Sequence, residues 1–260
     1  MPKVSFITGV KNRPEELREM IQSLISQDMS DWEAIIVNDH SDEPIDQVVE
    51  SFKDSRIILL HQEAGKTGIC HARNLAISKA KSEILLTADG DDISRPQRAK
   101  ITYNLMSENN YEAFYSNLEF FITEENKRWT VPFQPFNSEL FKMFNFMTNP
   151  GTAFTKEIFL KAGGFDSSFT LSEDYDLYLR MLLKGAKFGC TDEILVNYRR
   201  SPESASIQNF SKMHDFIMKT RVKNNIPPFD IEDIKKYAHP KIAEYILSEN
   251  GRKVWEDDRF

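Results

Sequence analysis

The sequence predicts an α/β protein with an open, mainly parallel sheet and helices on both faces. In the first half of the chain, short apolar runs alternate with stretches of helical periodicity. Polar and acidic segments directly follow several of these runs. The alternation is typical of parallel strands joined by right-handed crossover helices, and the polar segments are typical of the sheet edge where such proteins bind ligands.

The strands are predicted by apolar runs bounded by polar residues. In the first half these runs are residues 4–8, 34–37, 56–60, 83–87 and 113–116. After the first run, Pro14 suits a first helical turn. The apolar residues that follow it recur at the spacing of one helical face: Leu17, Met20, Ile21, Leu24 and Ile25. Further helices are expected over residues 45–52, 69–79 and 96–106.

The alternation stops after about residue 118. Residues 129–147 are rich in aromatic residues and are predicted to connect to a second lobe. Beyond them, helices are predicted over 156–162 and 175–183, and strands over 152–154 and 194–198. From residue 207 the pattern is helical and charged. We therefore predict three parts: residues 1–117, residues 118–206 and a C-terminal helical extension of residues 207–260.

The composition excludes several classes of protein. The 260 residues carry 33 Lys and Arg against 40 Asp and Glu, and this acidic balance disfavours a nucleic-acid binder, which needs clustered basic residues. No apolar run approaches the roughly 20 residues that span a bilayer, and the N-terminus does not resemble a signal peptide. We expect a cytoplasmic protein in which Cys70 and Cys190 stay reduced.

An acidic turn follows the predicted strand over residues 83–87. Its sequence is Asp89-Gly90-Asp91-Asp92, and carboxylate oxygens at a strand end suit Mg²⁺ or Mn²⁺. A solvated turn is the alternative. A calcium-binding EF-hand loop is excluded, because Ser94 and Lys100 stand where that loop needs Gly and Glu.

Two common nucleotide-binding motifs are absent from the sequence. Gly65-Lys66-Thr67 is not a phosphate-binding P-loop, because Leu60 stands where that motif needs a glycine. The chain also lacks the Gly-x-Gly-x-x-Gly of dinucleotide-binding proteins.

A second acidic run, Glu173-Asp174-Tyr175-Asp176, opens a predicted helix. Acidic residues in a first turn often only complement the helix dipole, so both a functional and a structural interpretation stay open.

Taken together, these segments resemble the family 2 glycosyltransferases of the GT-A fold over about residues 4–206. The opening strand and its Lys11-Asn12-Arg13 turn are similar to the start of that family. The motifs that follow in the family's order are Val37-Asn38-Asp39-His40-Ser41, His71-Ala72-Arg73-Asn74-Leu75-Ala76-Ile77, Asp89-Gly90-Asp91, Gly163-Gly164-Phe165-Asp166 and Glu173-Asp174. Arg199 to Ser206 resembles the closing segment, except that Ser201 replaces the usual His.

The resemblance implies a nucleotide-sugar donor, a UDP-sugar by preference, bound by the first part of the chain. It implies that Asp39 accepts a hydrogen bond from a ring N–H of the base, that Arg73 lies nearby, and that Thr8 and Val10 line the base pocket. Asp89 would hold the ribose hydroxyls. Asp91 would ligate Mn²⁺ or Mg²⁺ at the diphosphate, where a fixed cation stabilises the charge on the leaving group.

The resemblance also implies an acceptor side, formed by residues 118–206. There Asp174 would be the general base that activates an acceptor hydroxyl, so that a single displacement inverts the anomeric carbon. Glu173 and Asp176 would contact a glycan or lipid-linked sugar acceptor, and Asp176 has the helix-dipole alternative. Nucleic-acid partners are not expected. Peripheral membrane contact, at the inner face of the membrane, and self-association of the chain stay open.

Two alternative functions and one structural alternative remain. A non-catalytic carbohydrate-binding or scaffold protein could use the same fold, and a sugar nucleotidyltransferase would need a richer glycine loop than residues 9–13 provide. The aromatic residues of the 129–147 stretch are expected to form core rather than a sugar or lipid surface, because large aromatic side chains are mostly buried. They are Trp129, Phe133, Phe136, Phe141, Phe144 and Phe146.

Overall fold

The computed structural model describes residues 1–201, 210–227 and 231–247. One nine-stranded sheet forms its centre. The strands are β1 (Val4–Val10), β2 (Trp32–Asn38), β3 (Ile57–His61), β4 (Ile84–Thr87), β5 (Ile93–Ser94), β6 (Ala113–Ile122), β7 (Lys127–Thr130), β8 (Thr152–Thr155) and β9 (Phe188–Arg199). Their order is β3-β2-β1-β4-β8-β6-β9-β5, and β7 pairs with β6.

Helices cover both faces of this sheet. They are α1 (Pro14–Ile25), α2 (Ile45–Ser51), α3 (Ile69–Lys79), α4 (Arg98–Asn109), α5 (Ser138–Met143), α6 (Lys156–Ala162), α7 (Glu173–Leu183), α8 (Phe210–Lys223) and α9 (Pro240–Leu247). Short 3₁₀ helices span Asn149–Gly151 and Ile231–Lys236. None of the helices in the described ranges has the length and apolar character needed to cross a bilayer.

The predicted fold class is confirmed. Strands β1 to β4 are parallel, and β8 joins β4 in the antiparallel direction, which makes the sheet mixed but mainly parallel in its first half. Successive residues of β1 point to opposite faces, as the period of a strand requires. Phe6 packs in the core beneath α1, and Ile7 packs in the core beneath α3. Each predicted crossover therefore buries its own apolar face.

A glycine allows close packing near the carboxyl end of β1. A Cβ atom at Gly9 would lie 2.7 Å from Cδ1 of Ile69 and 2.9 Å from Cβ of Ala72. Helix α3 therefore approaches β1 more closely than any larger residue would permit. This packing brings the start of α3 beside the loop that follows β1.

The boundary expected near residue 117 is not a break in the fold. It falls inside β6, which pairs with β8 and β9 in the same sheet as β1 to β4. The 129–147 stretch, expected to be a connection, contains part of β7 and the whole of α5. Sequence periodicity missed these elements because β7 is a short edge strand and α5 has only six residues. A division into donor and acceptor parts therefore stays a functional prediction.

The core interpretation of the aromatic stretch is confirmed for Phe141 and Phe144, which are buried. Phe133, Phe136 and Phe146 are partly buried and pack against the main core. The predicted C-terminal helical extension is present in α8 and α9, and residues 202–209, 228–230 and 248–260 lie outside the described residues. Cys70 and Cys190 are both free thiols.

Candidate active site

A cavity of about 570 Å³ lies at the carboxyl ends of β1 and β4. One wall is formed by the loops after these two strands, and the opposite wall by the 3₁₀ turn at Asn149–Gly151 and the loop that leads into α7. The structure places six of the nine predicted site residues on its lining. They are Val10, Arg73, Asp89, Asp91, Glu173 and Asp174.

Arg73 joins the two walls of the cavity. Its Nη2 donates to Oδ1 of Asp89 at 2.7 Å, and its Nη1 donates to Oε1 of Glu173 at 2.6 Å. The side chain is only 5% exposed. Burial by itself lowers the pKa of Arg73, but Asp89 and Glu173 more than offset this and raise it, so the guanidinium stays charged. One buried cation therefore links the acidic turn after β4 to the first residue of α7.

Asp89 has a second partner, Asn149, that the sequence did not reveal. The Nδ2 of Asn149 donates to both carboxylate oxygens of Asp89, at 2.9 and 3.2 Å. The Oδ1 of Asn149 accepts from the hydroxyl of Tyr178 at 2.8 Å, and that hydroxyl also bonds Oγ1 of Thr152 at 2.5 Å. Since hydrogen-bonded networks restrict the rotamers of their members, Asp89 is held in one orientation.

Asp91 faces the cavity beside Arg13. The Nη1 of Arg13 lies 2.5 Å from Oδ2 of Asp91, and both side chains are about one quarter exposed. Arg13 has a left-handed backbone with φ of 61° and ψ of 56°, a conformation that is uncommon for residues other than glycine. Burial, and then the nearby Asp89 carboxylate, raise the pKa of Asp91, while Arg13 opposes this. A positive charge at this position is therefore favourable.

The third carboxylate of the acidic turn, Asp92, has a structural role. It is buried, and its Oδ1 accepts from the backbone N–H of Arg199 at 2.8 Å. The Nε of Arg199 donates to the carbonyl of Asp91 at 2.9 Å. Burial, and then the charges of Asp91 and Asp89, raise the pKa of Asp92 well above its ordinary value. The end of β9 thus fixes the shape of the turn that presents Asp89 and Asp91.

The cavity fits a divalent cation that is held partly by a substrate. Within the described residues, no three His, Cys, Asp or Glu side chains cluster closely enough to form a metal site of their own. Mg²⁺ and similar ions commonly bind one or two carboxylates and take their other ligands from phosphates and water. Asp91 supplies such a carboxylate, and its Oδ2 already attracts a guanidinium. The donor set therefore suits the cofactor that the sequence predicts.

Asp174 lies on the opposite wall, in the first turn of α7. It is partly exposed, and its Oδ1 accepts from the backbone N–H of Tyr175 at 2.7 Å. Burial, and then the neighbouring Glu173 carboxylate, raise the pKa of Asp174 to about 7. Ser172, two residues before Asp174, has a left-handed φ of 54°, which turns the chain sharply into the helix. The site thus contains a carboxyl that exchanges a proton near neutral pH.

Three predicted site residues do not line the cavity. Asp39 is buried at the end of β2, where its carboxylate accepts from Nε2 of Gln62 and from the N–H of Gly68, both at 2.9 Å. Thr8 is fully buried within β1, so its side chain does not line a base pocket as expected. Its Oγ1 has no hydrogen-bond partner in the part of the chain that the structure describes.

Asp176 is the third of these residues. It is fully buried, and it pairs with Nη2 of Arg180 at 2.6 Å and with Nζ of Lys223 at 2.9 Å. Contact with an acceptor, one of its two predicted roles, does not fit this burial. A dipole contribution from the first turn of α7 is compatible with its position, but the ion pairs account for its charge more directly.

Sequence reasoning missed Arg13, Asn149 and Tyr178 as site residues, although Arg13 was part of a quoted motif. The left-handed Asn12 and Arg13 follow β1 directly, so the loop after the first strand was the signal for Arg13. Asn149 and Tyr178 gave no local signal. Ser201, at the usual His position, is described, but residues 202–206 of that closing segment are not.

The comparison with known families decides the assignment. The model of the family described as "Glycosyl transferase family 2" matches residues 5–164. The chain belongs to this glycosyltransferase family. The match includes the loops after β1, β2 and β4 and ends before α7.

Curated relatives agree with the family. An O-antigen biosynthesis glycosyltransferase of Escherichia coli is 26% identical to this chain. The alignment covers 85% of this chain and 91% of that enzyme. A UDP-Gal:alpha-D-GlcNAc-diphosphoundecaprenol beta-1,3-galactosyltransferase, also of Escherichia coli, is 26% identical over 78% of this chain and 76% of its own. This glycosyltransferase is therefore similar to one enzyme named for O-antigen biosynthesis and to another named as a galactosyltransferase.

Solved structures share the fold. S. aureus TarS 1-349 in complex with UDP-GlcNAc superposes with a TM-score of 0.69 and 17% identity, covering 99% of this chain and 74% of that one. The chain spans 44% of the longer TarS structure. The mannosyltransferase PcManGT from Pyrobaculum calidifontis, in complex with GDP-Man and Mn²⁺, gives a TM-score of 0.67 at 15% identity, covering 98% of this chain and 72% of that one. These likenesses confirm the GT-A fold.

Proposed function

We propose that this glycosyltransferase moves a sugar from a nucleoside diphosphate donor, UDP-sugar by preference, to a hydroxyl of a glycan or lipid-linked sugar, with inversion. One observation carries the proposal. Asp91, next to a guanidinium, and Asp174, with a pKa near 7, line opposite walls of a single cavity. A charge-binding group thus faces a proton acceptor across the space where a sugar would lie.

The donor would bind along the carboxyl ends of β1, β2 and β4. Val10 lines the cavity, and Asp39, held by Gln62 and the N–H of Gly68, would accept a hydrogen bond from the base. Asp89 would hold the ribose hydroxyls from the orientation that Arg73 and Asn149 fix. The relative named for UDP-Gal and the neighbour bound to UDP-GlcNAc support UDP over other nucleosides.

Asp91 would hold Mn²⁺ or Mg²⁺ together with the donor diphosphate. When bound, the cation stabilises the negative charge that the leaving diphosphate gains. The neighbour with GDP-Man and Mn²⁺ supports this assignment. The cation and Arg13 would compete for the same Oδ2 of Asp91. Arg13 would then move to the phosphate oxygens, for which its planar donors are well suited.

Asp174 would take the proton of the acceptor hydroxyl. A general base works best when its pKa lies near the operating pH, and the pKa of about 7 for Asp174 meets this condition. The oxygen would attack the anomeric carbon from the α7 side while the bond to the diphosphate breaks on the acidic-turn side. One displacement from the opposite face inverts the configuration of that carbon.

Thermal denaturation tests the donor assignment. A ligand that binds only the native state raises the melting temperature. We expect UDP with Mn²⁺ to raise it by several degrees, while GDP, dTDP and CMP, or UDP with a chelator, have little effect. No rise with any nucleotide would contradict the donor site. A rise with glycan but not nucleotide would favour the non-catalytic alternative, and pyrophosphate release from UTP and a sugar phosphate would favour the nucleotidyltransferase.

The stereochemistry is a separate test. UDP-sugars of known α configuration would be incubated with the enzyme and synthetic lipid-diphosphate sugars, and the new linkage read by NMR. A β linkage is expected. An α linkage would contradict the single displacement and would remove the reason for assigning Asp174 as the base.

A further inference from the structure

Helix α8, which lies beyond the part of the chain matched by the family, contacts the wall of the cavity that carries Asp174. The Nζ of Lys223, its last residue, lies 2.8 Å from Oδ2 of Asp166 and 2.9 Å from Oδ1 of Asp176. Asp166 ends the Gly163-Gly164-Phe165-Asp166 turn, and Asp176 lies in the first turn of α7. One ammonium group therefore joins Asp166, at the start of a segment that leads into α7, to the first turn of α7 itself.

That segment, residues 166–172, is named here the acceptor-side loop. Its residues Thr170, Leu171 and Ser172 line the cavity and lead directly into Glu173 and Asp174. The loop lacks regular helix or strand structure over its length. Its position must therefore come from contacts with neighbouring elements.

Helix α8 also contacts the middle of the acceptor-side loop. The Nζ of Lys219 donates to the carbonyl of Ser168 at 3.1 Å and lies 4.4 Å from the ring centroid of Phe169. Phe216 packs against the same ring, with centroids 5.9 Å apart. From the other side, the Sγ of Cys70 donates to the carbonyl of Phe169 at 3.3 Å. The loop is thus held between α3 and α8 at its start and middle, and α8 also contacts the first turn of α7, which follows the loop.

The charges of Asp166 and Asp176 make the ion pairs with Lys223 important for stability. Asp176 is fully buried, and a buried carboxylate that loses a partner strongly destabilises its surroundings. Arg180 is its other cation and belongs to the same helix; it also donates to the carbonyl of Ala162, so it joins α7 to the end of α6 rather than to residues 166–172. Although burial acts to raise the pKa of Asp166, the hydrogen bond from Lys223 lowers it well below its ordinary range. Lys223 therefore stabilises the charges of Asp166, at the start of the loop, and of Asp176, in the helix that follows it.

We propose that α8 fixes the acceptor-side loop and, through it, the placement of Asp174, with Lys223 as the positioning residue. The proposal rests on the proposed function for the role of Asp174, but its structural part does not. Asp89 and Asp91 are also held by contacts outside this clamp, from Arg13, Asn149 and Arg199. Arg73 contacts both Asp89 and Glu173, but neither of these ion pairs involves Lys223. Loss of the clamp should therefore affect the transfer step and leave donor binding intact.

The test uses the full chain with Lys223→Met, which keeps the aliphatic length and removes the charge. Lys223→Arg restores a cation, and Lys184→Met is the matched control, because Lys184 is exposed directly after the last residue of α7. Lys219→Met removes the contact in the middle of the loop without leaving a buried carboxylate short of a partner. If Lys223→Met does not fold, Lys219→Met still tests whether α8 holds the loop.

Two readouts separate the structural part from the function. Amide hydrogen exchange of peptides covering residues 166–176 should become about tenfold faster in Lys223→Met and Lys219→Met, as expected when local stabilising contacts are lost. Release of UDP from UDP-GlcNAc or UDP-Gal to water should fall about tenfold in kcat at unchanged donor KM. Lys223→Arg should recover most of both values, and Lys184→Met should match the wild type.

Each result of the exchange and kinetic measurements supports or contradicts a stated part of the proposal. Unchanged exchange in both methionine variants would overturn the clamp, and faster exchange with unchanged kcat would overturn the positioning role. A fall in kcat accompanied by an equal loss of UDP affinity would also overturn it, because the effect would then reach the donor side. If the wild type releases no UDP while exchange responds as expected, the proposed function fails and the clamp stands.

Discussion

The two walls of the cavity use carboxylates in opposite ways. On the donor side, Asp89 and Asp91 each lie within 2.7 Å of an arginine nitrogen. On the acceptor side, Asp174 accepts a backbone N–H bond, and no ion pair reaches it from the described parts of the chain. Carboxylates beside arginine suit the binding of cations and hydroxyls, whereas the raised pKa of Asp174, about 7, suits proton transfer at neutral pH. The same residue type thus serves binding on one wall and is proposed to serve chemistry on the other.

The largest expected effect comes from removing the proton acceptor. Asp174→Asn should lower kcat for transfer by about 1000-fold or more, because general base catalysis contributes on the order of 10² to 10⁴. Its affinity for UDP with Mn²⁺, measured by calorimetry, should equal that of the wild type. If kcat fell less than tenfold, another group would be the base, and the contrast between the walls would lose its catalytic meaning.

Removing the donor-side carboxylate should act on binding first. Asp91→Asn should weaken UDP binding in the presence of Mn²⁺ by about 100-fold, since a bidentate or charged contact to the cation is lost. Binding without Mn²⁺ should hardly change, which provides the control within the same variant. Equal affinities of wild type and variant with Mn²⁺ in a calorimetric titration would refute the metal assignment.

Arg13 is proposed to compete with the cation for Asp91 and to contact the donor diphosphate. Removing its charge should therefore change the affinities for Mn²⁺ and for UDP in opposite directions. Arg13→Gln frees Oδ2 of Asp91, so Mn²⁺ alone should bind about threefold to tenfold more tightly, as followed by the electron paramagnetic resonance of free Mn²⁺. UDP with saturating Mn²⁺ should bind about tenfold more weakly, because a contact to the phosphates is lost. Arg18→Gln is the matched control, since Arg18 lies on the same helix start and is largely exposed.

For Arg13→Gln, changes of the same sign in both titrations would contradict the exchange of partners. A weaker Mn²⁺ affinity without nucleotide would mean that Arg13 supports the cation site rather than competing with it. An unchanged UDP affinity would mean that the guanidinium does not reach the diphosphate.

The smallest effect concerns stability and follows from the pKa of Asp174. Its folded value of about 7 lies above the unfolded value near 3.9, so the folded state binds the proton more tightly. The stability from this group is complete below about pH 4 and is lost as the pH rises through 7. Asp174→Asn carries no such charge, and at pH 8 it should be more stable than wild type by about 1–2 kcal/mol. Urea unfolding at pH 8 and at pH 4 measures this.

At pH 4 the same two proteins should have nearly equal free energies of unfolding, because Asp174 is then protonated in both states or close to it. A stabilisation of equal size at both pH values would show that the amide improves packing rather than removing a charge. In the wild type, kcat should rise with pH through about 7, and this rise should be absent from the residual activity of the variant.

Much of the donor side could be predicted from the sequence. Asp89 and Asp91 follow an apolar run, and strand ends in such sheets lie at the ligand edge. The helix at Ile69–Lys79, which carries Arg73, was predicted with the bounds that the structure has. These features depend on local patterns within windows of about 4 to 18 residues, which is the range over which a single sequence is informative.

The contacts that hold the site could not be predicted in this way. Asn149 is 60 residues from Asp89, and Lys223 is 47 residues from Asp176. The residues next to Asn149 and Lys223 in the sequence do not indicate these contacts, because the contacts form only when the strands and helices pack together. Thr8 was misplaced for a related reason. Alternation along β1 places its side chain, but only the packing of the surrounding elements shows that no cavity lies there.

The continuity of the sheet has a practical consequence for protein engineering. The cut at residue 117 that the sequence suggested would divide β6 within its paired region, and β4 of the first part is hydrogen-bonded to β8 of the second. Two fragments made there would each expose an unpaired strand edge, which favours aggregation. A chimera that exchanges residues 118–206 as a cassette would therefore have to form the β4–β8 pairing between strands of two different proteins.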